Sequence, residues 1–338
     1  MTDAPPQHAI KGIHHITLVA ENAQRNAEFY VKTLGLTFVK KTVNFDRPST
    51  YHLYFGDRVG HPGTLVTFFE WPDAGPGRIG AGTTHHLALS VDSLDALLKW
   101  KNWLQHGHHL VAGPHDNGVY QNIIFTDPDG VILELTTVGP GFDTPGGPRP
   151  DSSRLLAETW PDPVMEITSD MQIRGIHHIA PISTDIERTT TFYEDVLDIP
   201  CIYKASNAGA RYFFSPKNGQ PGTLIVYESS DQSVPHGHIG HGVTHHFAFE
   251  VESDEAQQYW RERLLARNLR VTPVLDRKYF RSIYFDDPDG HILEIATTQP
   301  GFLVDQSVDR LGRDLALPDW LEGQRQLIES RLEAIDLG

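Results

Sequence analysis

Apolar and polar residues alternate over residues 12–20 (GIHHITLVA), and a period of two predicts a strand. Asn22 follows as a helix N-cap, with Phe29, Tyr30 and Leu34 on the buried stripe of a helix through Thr33 and Gly35 as its stop. Three short apolar runs come next, at 36–42, 50–55 and 64–70. The order is β-α-β-β-β. It returns in the third quarter, where Phe192, Tyr193 and Leu197 match Phe29, Tyr30 and Leu34, and where the PGTL of 62–65 reappears at 221–224. The second and fourth quarters share predicted helices over 94–105 and 255–266. They also share a strand-turn-strand through DPDG, at 127–130 and 287–290.

Two adjacent histidines stand at the start of the first strand of every quarter: His14-His15, His85-His86, His177-His178 and His245-His246. His15 and His86 are 71 residues apart and His178 and His246 are 68 apart, so a unit duplicated twice accounts for the whole repeat. The pattern predicts an α+β chain of four βαβββ modules in two tandem domains, 1–140 and 171–302. A linker over 141–170 joins them, beginning in the turn-rich GPGFDTPGGPRP of 139–150. The tail, 303–338, leaves the repeat. Trp320, Leu321, Leu327, Ile328, Leu332 and Ile335 are spaced for one helix over 318–335, expected to dock on the second domain rather than on a partner chain.

The 338 residues carry a formal charge of −16, which argues against a nucleic acid or an anionic membrane as partner. A single cysteine, Cys201, excludes an internal disulfide and fits a reducing compartment. MTDAPPQHA at the N-terminus has neither a basic nor an apolar stretch of a signal peptide, and no apolar run reaches the length of a membrane span. The expectation is a cytoplasmic protein.

Histidine is the commonest protein metal ligand, and alternation sorts the pairs. His15, Thr17 and Val19 share one face of their strand, and His246, Ala248 and Glu250 share one face of theirs. Counting four from the turn glycine gives Glu134 and Glu294 in quarters two and four, but Thr67 and Val226 in quarters one and three. A glutamate inside an apolar strand is costly to bury without a cation or a hydrogen-bonding partner. Pairing one quarter of each type therefore yields two histidines and one carboxylate, the arrangement typical of oxygen-activating non-haem Fe(II). A fourth protein ligand at Thr67 or Val226 would instead have suggested Zn or Ni. Which quarters pair stays open at this level. His106, His108, His109, His236, His238 and His241 have no matching acid and read as surface or rim residues.

The HHI, THH and DPDGxxxE signatures resemble the vicinal oxygen chelate superfamily of glyoxalases, resistance proteins and extradiol dioxygenases. Within it, GIHHIT (12–17), KKTVNFD (40–46), YHLYFGD (51–57), DRKYFRSIYF (276–285), HILEIATTQPGF (291–302) and the LPDW tail resemble the hydroquinone and chlorohydroquinone ring-cleaving dioxygenases. That resemblance implies Fe(II), or Mn(II) in its place, on His15, His246 and Glu294. It implies a small aromatic substrate and O₂ as partners and allows a homo-oligomer. It also implies roles for Arg277, Tyr284, Thr17, His14 and His245, although strict alternation turns His14 and His245 away from the metal face unless a bulge intervenes. His86, Glu134 and His178 form a possible twin. There Asn117 and Ile124 replace Arg277 and Tyr284, so the twin is expected to lack polar machinery and to be inactive in ring cleavage, whether or not it holds metal. A catechol extradiol dioxygenase and a non-catalytic, resistance-type binding module are the alternatives.

Overall fold

The computed structural model describes residues 5–139, 141–142, 153–205, 210–230 and 234–338; most of the turn-rich stretch 139–150 lies outside them. The first module comprises β1 (Gly12–Ala20), α1 (Ala23–Glu28), β2 (Thr37–Asn44), β3 (Arg47–Gly56) and β4 (Leu65–Glu70). The second comprises β5 (Thr84–Val91), α2 (Leu94–His106), β6 (Ala112–Asp116), β7 (Gln121–Thr126) and β8 (Ile132–Thr137), followed by the short edge strand β9 (Arg154–Leu155). The third runs through β10 (Gly175–Ser183), α3 (Ile186–Thr191), β11 (Cys201–Ala205), β12 (Arg211–Phe214) and β13 (Leu224–Ser229). The fourth has β14 (Thr244–Val251), α4 (Asp254–Ala266), β15 (Leu275–Asp276), β16 (Arg281–Asp286) and β17 (Ile292–Thr297). All four are β-α-β-β-β. Asn22 Oδ1 caps α1 by accepting from Arg25 N at 2.9 Å. Beyond Glu28 the helix continues as a wider π-turn over Phe29–Thr33, a turn the periodicity does not disclose.

The sheets do not follow chain order. β1 pairs antiparallel with β14, and β10 with β5, giving the orders β15-β16-β17-β14-β1-β4-β3-β2 and β11-β12-β13-β10-β5-β8-β7-β6-β9. Module one thus shares a sheet with module four, and module two with module three. Two matching connections cross between the sheets and bridge each other at Pro76–His241, Arg78–His238 and Ala81–His236. Their glycines permit the approach: a Cβ on Gly80 would sit 2.3 Å from Pro235 O, and one on Gly240 2.5 Å from Gly75 O. Meanwhile the helix sides keep chain order, as Trp103 Nε1 of α2 donates to Thr33 O at 2.9 Å and Arg263 Nε of α4 donates to Val196 O at 3.1 Å.

The tail differs from its expectation in two ways. It forms two short helices, α5 (Asp319–Glu322) and α6 (Arg325–Glu329), interrupted at Gly323, whose backbone freedom disfavours a continuous helix. Leu317, Leu321 and Ile328 pack on Val43 in module one, while Lys278 of module four donates to Leu317 O at 2.7 Å. β2 is a sheet edge, and Ala316 N uses it by donating to Lys41 O at 2.9 Å. An amphipathic stripe specifies that a segment docks, but not where. Among the described residues no helix is long and apolar enough to cross a membrane.

Candidate active site

Each histidine pair is built around a bulge. Along β1–β14 the register steps from Ile13↔Phe249 to His15↔Ala248, leaving His14 extra, and from Thr17↔His246 to Leu18↔Thr244, leaving His245 extra. The same skips fall on His177 and His85 along β10–β5. A bulge suspends alternation, so both rings of a pair meet on one side. The Nδ1···Nδ1 separations are 2.9 Å for His14–His15, 2.8 Å for His245–His246, and 2.9 Å for both His85–His86 and His177–His178. In every case this leaves Nε2 of the second histidine free of its neighbour.

Those free nitrogens converge with Glu294. His15 Nε2 lies 3.4 Å from His246 Nε2, and Glu294 Oε2 lies 3.3 Å from the first and 3.0 Å from the second. The three side chains are buried, and such separations suit three donor atoms around one ion with bonds of about 2.1 Å. Glu294 Oε1 accepts from Ser282 Oγ, whereas Oε2 is buried with no hydrogen-bond donor directed at it. Burial alone would raise this carboxyl, but His15 and His246 outweigh it and hold it well below the usual carboxylate range. An ionised, orphaned oxygen facing two imidazole nitrogens fits a divalent metal.

The metal face opens into a narrow slot whose walls include Phe45, Tyr54, Phe69, Phe280, Arg277 and Tyr284. The segment 276–285 supplies much of it: Phe280 packs on the His14 and His15 rings at 4.9 and 5.2 Å, and Ser282 holds Glu294. Arg277 Nε donates to Tyr284 Oη at 3.2 Å, and its guanidinium lies 5.2 Å from the centre of that ring. Burial, then the Glu294 charge, pushes the Tyr284 hydroxyl above its ordinary range, so it stays protonated. Burial opposes the charge on Arg277, but Tyr284 and Glu294 outweigh it and keep the guanidinium ionised.

Of the remaining expected residues, His14 and His245 stand behind the ligands, and burial lowers each to about 3. Thr17 does not line the slot. Its Oγ1 lies 2.8 Å from Thr67 Oγ1, which is 3.1 Å from His52 Nε2, while His52 Nδ1 meets Tyr54 Oη at 3.0 Å. His52 and Tyr54 do line the slot and were missed; the alternation of YHLYF, which places both on one face, is the signal that could have found them. Burial, then the neighbouring His246 and His15, lowers His52 well below its ordinary value, leaving a neutral imidazole.

The twin set also assembles. His86 Nε2 is 3.1 Å from His178 Nε2 and 3.6 Å from Glu134 Oε1. Its surroundings correct the sequence expectation: besides Asn117 and Ile124, the cleft has Arg211, Glu228, His115 and the hydroxyl of Tyr120. Arg211 and Glu228 come from the partner module, on β12 and β13, so comparison within the DPDG module alone could not find them.

This fold and these paired ligand sets place the chain in a known class. It belongs to the Glyoxalase/Bleomycin resistance protein/Dioxygenase superfamily, matched over residues 12–135 and 175–295. It is 31% identical over 340 residues to MhqA of Bacillus subtilis, which carries the provisional name ring-cleaving dioxygenase, covering 96% of this chain and 99% of that one. It is 32% identical over 324 residues to the chlorohydroquinone/hydroquinone 1,2-dioxygenase of Sphingobium indicum, covering 93% of each. The crystal structure of a provisionally named dioxygenase from Bacillus subtilis superposes with a TM-score of 0.82 at 31% identity, covering 98% of this chain and 99% of that one. The family expected from the motifs is borne out.

Proposed function

We propose that this protein is a ring-cleaving dioxygenase that opens hydroquinone-type rings, halogenated ones included, with Fe(II), or Mn(II) in its place, on His15, His246 and Glu294. The observation that carries this is the convergence of three buried ligand atoms on a flat, aromatic-walled slot containing Arg277 and Tyr284. A metal held by these residues would supply a centre for electron exchange between a phenolic oxygen and O₂.

The chain's own residues do the rest. Glu294, the single carboxylate among the ligands, would leave a bound dication with a net positive charge that favours a phenolate. Phe69 and Phe280 line the slot and give an aromatic ring apolar surfaces to pack against. Arg277 stabilises the negative charge that develops on the substrate oxygen. Tyr284, held protonated, donates to the oxygen being inserted and recovers its proton from the opened product. His52, neutral and buried, is held by Thr67 and Tyr54 and offers the substrate hydroxyl an uncharged hydrogen-bonding wall. Both atoms of O₂ enter the product as the ring carbon–carbon bond breaks, so no external reductant is consumed. A glyoxalase-type reaction is disfavoured because Thr67 occupies the place of a fourth ligand.

The test is anaerobic Fe(II) reconstitution followed by O₂ uptake across hydroquinones and catechols. Turnover of hydroquinones, lost in Glu294→Gln and His246→Ala and kept in His86→Ala, is the expected result. Turnover of catechols alone would replace the substrate class, and inactivation by His86→Ala alone would overturn the site.

A further inference from the structure

We infer that His86, Glu134 and His178 form a second, independent divalent-metal site whose polar, open cleft suits small oxygen-donor ligands rather than a stacked aromatic ring. The three residues are buried, and their donor atoms lie within 4.8 Å of one another. They repeat the construction of the first set in the other sheet. The His85 and His177 rings meet His86 and His178 at Nδ1, each at 2.9 Å, which leaves both Nε2 atoms turned to the shared centre. Asn122 hydrogen-bonds to Glu134 as Ser282 does to Glu294, and Asn117 Nδ2 in turn donates to Asn122 Oδ1 at 3.0 Å. Carboxylate, imidazoles and their supporting partners are all in place.

The surroundings, however, are different. In the register of the two sheets, Glu228 on β13 occupies the place that Phe69 holds on β4, and Arg211 on β12 that of His52 on β3. Glu228 belongs to a second close group with His85 and His86, so a second carboxylate flanks the metal position. Arg211 stands opposite Glu228 across β12–β13, so the two charges largely offset each other and line the cleft with hydrogen-bonding groups. The open positions face a cleft much roomier than the aromatic slot. With Glu228 in the place of Phe69, a flat ring meets one aromatic wall fewer there. Small oxygen donors such as water fit this polar cleft, where a bound metal would polarise them.

The experiment is equilibrium dialysis of the full chain against Co(II) under anaerobic conditions, with the visible spectrum of the bound ion as a second reading. Wild type is expected to bind two equivalents, and Glu134→Gln and Glu294→Gln one each. Hydroquinone should perturb the spectrum of Glu134→Gln and leave that of Glu294→Gln unchanged. His86→Ala duplicates the Glu134→Gln arm should that variant fail to fold. One equivalent in wild type, lost in Glu294→Gln and kept in Glu134→Gln, overturns the second site and leaves the ring-cleavage reading standing. One equivalent lost only in Glu134→Gln supports the second site and removes the first. A hydroquinone-dependent spectrum in Glu294→Gln overturns the assigned ligand class.

Discussion

His14 Nδ1 lies 2.9 Å from His15 Nδ1, and its other side hydrogen-bonds to the backbone of Thr297. A metal on His15 Nε2 requires the proton on Nδ1, so His15 donates to His14, which donates onward to the Thr297 carbonyl. The chain fixes the tautomer and the ring orientation of the ligand. His14→Phe keeps the ring and removes both nitrogens. It is expected to weaken metal binding about 10–100-fold, measured by competition with a chelator. Unchanged affinity would assign His14 to packing alone.

Tyr284→Phe and Arg277→Ala remove, respectively, a proton donor and a cation from the slot without touching the three ligands. Each is expected to keep full metal content and to lose about 10²–10³-fold in kcat/KM. Metal analysis beside steady-state O₂ uptake checks this. Loss of metal in either variant would place that residue in the support of the site instead.

Lys40 is a fully buried cation on β2, with Nζ 2.7 Å from Asp305 Oδ1, 2.6 Å from Gln306 Oε1 and 3.2 Å from the Phe302 carbonyl. It clamps the segment after the last repeat onto module one. Asp305 keeps Lys278 at 3.0 Å when Lys40 is lost, so the carboxylate is not left bare. Lys40→Met should destabilise the fold by about 2 kcal/mol, read from urea unfolding.

His291 and Asp287 form a buried ion pair, with Nδ1 2.8 Å from Oδ2 and His291 Nε2 3.0 Å from the Thr83 carbonyl. Burial alone would lower His291, but the Asp287 charge and hydrogen bond outweigh it and raise it above its ordinary 6.5. Burial likewise opposes ionisation of Asp287, and His291 outweighs it, holding the carboxyl below its ordinary 3.8. A raised histidine stabilises fully below 6.5 and loses that contribution as pH rises through its folded value; a lowered aspartate stabilises above 3.8 and loses it as pH falls. The pair therefore contributes most between those limits. Val131 stands at the matching place of the other DPDG turn. His291→Val should cost about 3 kcal/mol at pH 6 and less at pH 9. An equal loss of Tm at both pH values would show that the histidine is not charged in the fold.

Much of this was legible locally. Alternation and turn chemistry are properties of neighbouring residues, so the β-α-β-β-β order, the fourfold repeat and the fourth-from-glycine Glu294 could be read directly. The same counting gave two histidines and one carboxylate for a pair of quarters, but the pairing of His15 with His246 and Glu294 came only from the family resemblance. His52 and Tyr54 were equally local, two residues apart on one strand face, yet nothing in YHLYFGD says what that face looks toward.

By itself, then, the sequence determined which residues share a strand face, which positions bury, and that each module carries a histidine pair and every second module an acid. Tertiary structure alone decided which modules meet. Backbone pairing of β1 with β14 joins His15 to His246 and Glu294, and the register skips on that pairing turn His14 and His245 against their ligands. It also set Arg211 and Glu228 beside the twin ligands and sent the tail to β2. The reason is physical: a side chain's face is fixed by its own strand, but its neighbours across a sheet depend on hydrogen-bond register between segments some 230 residues apart.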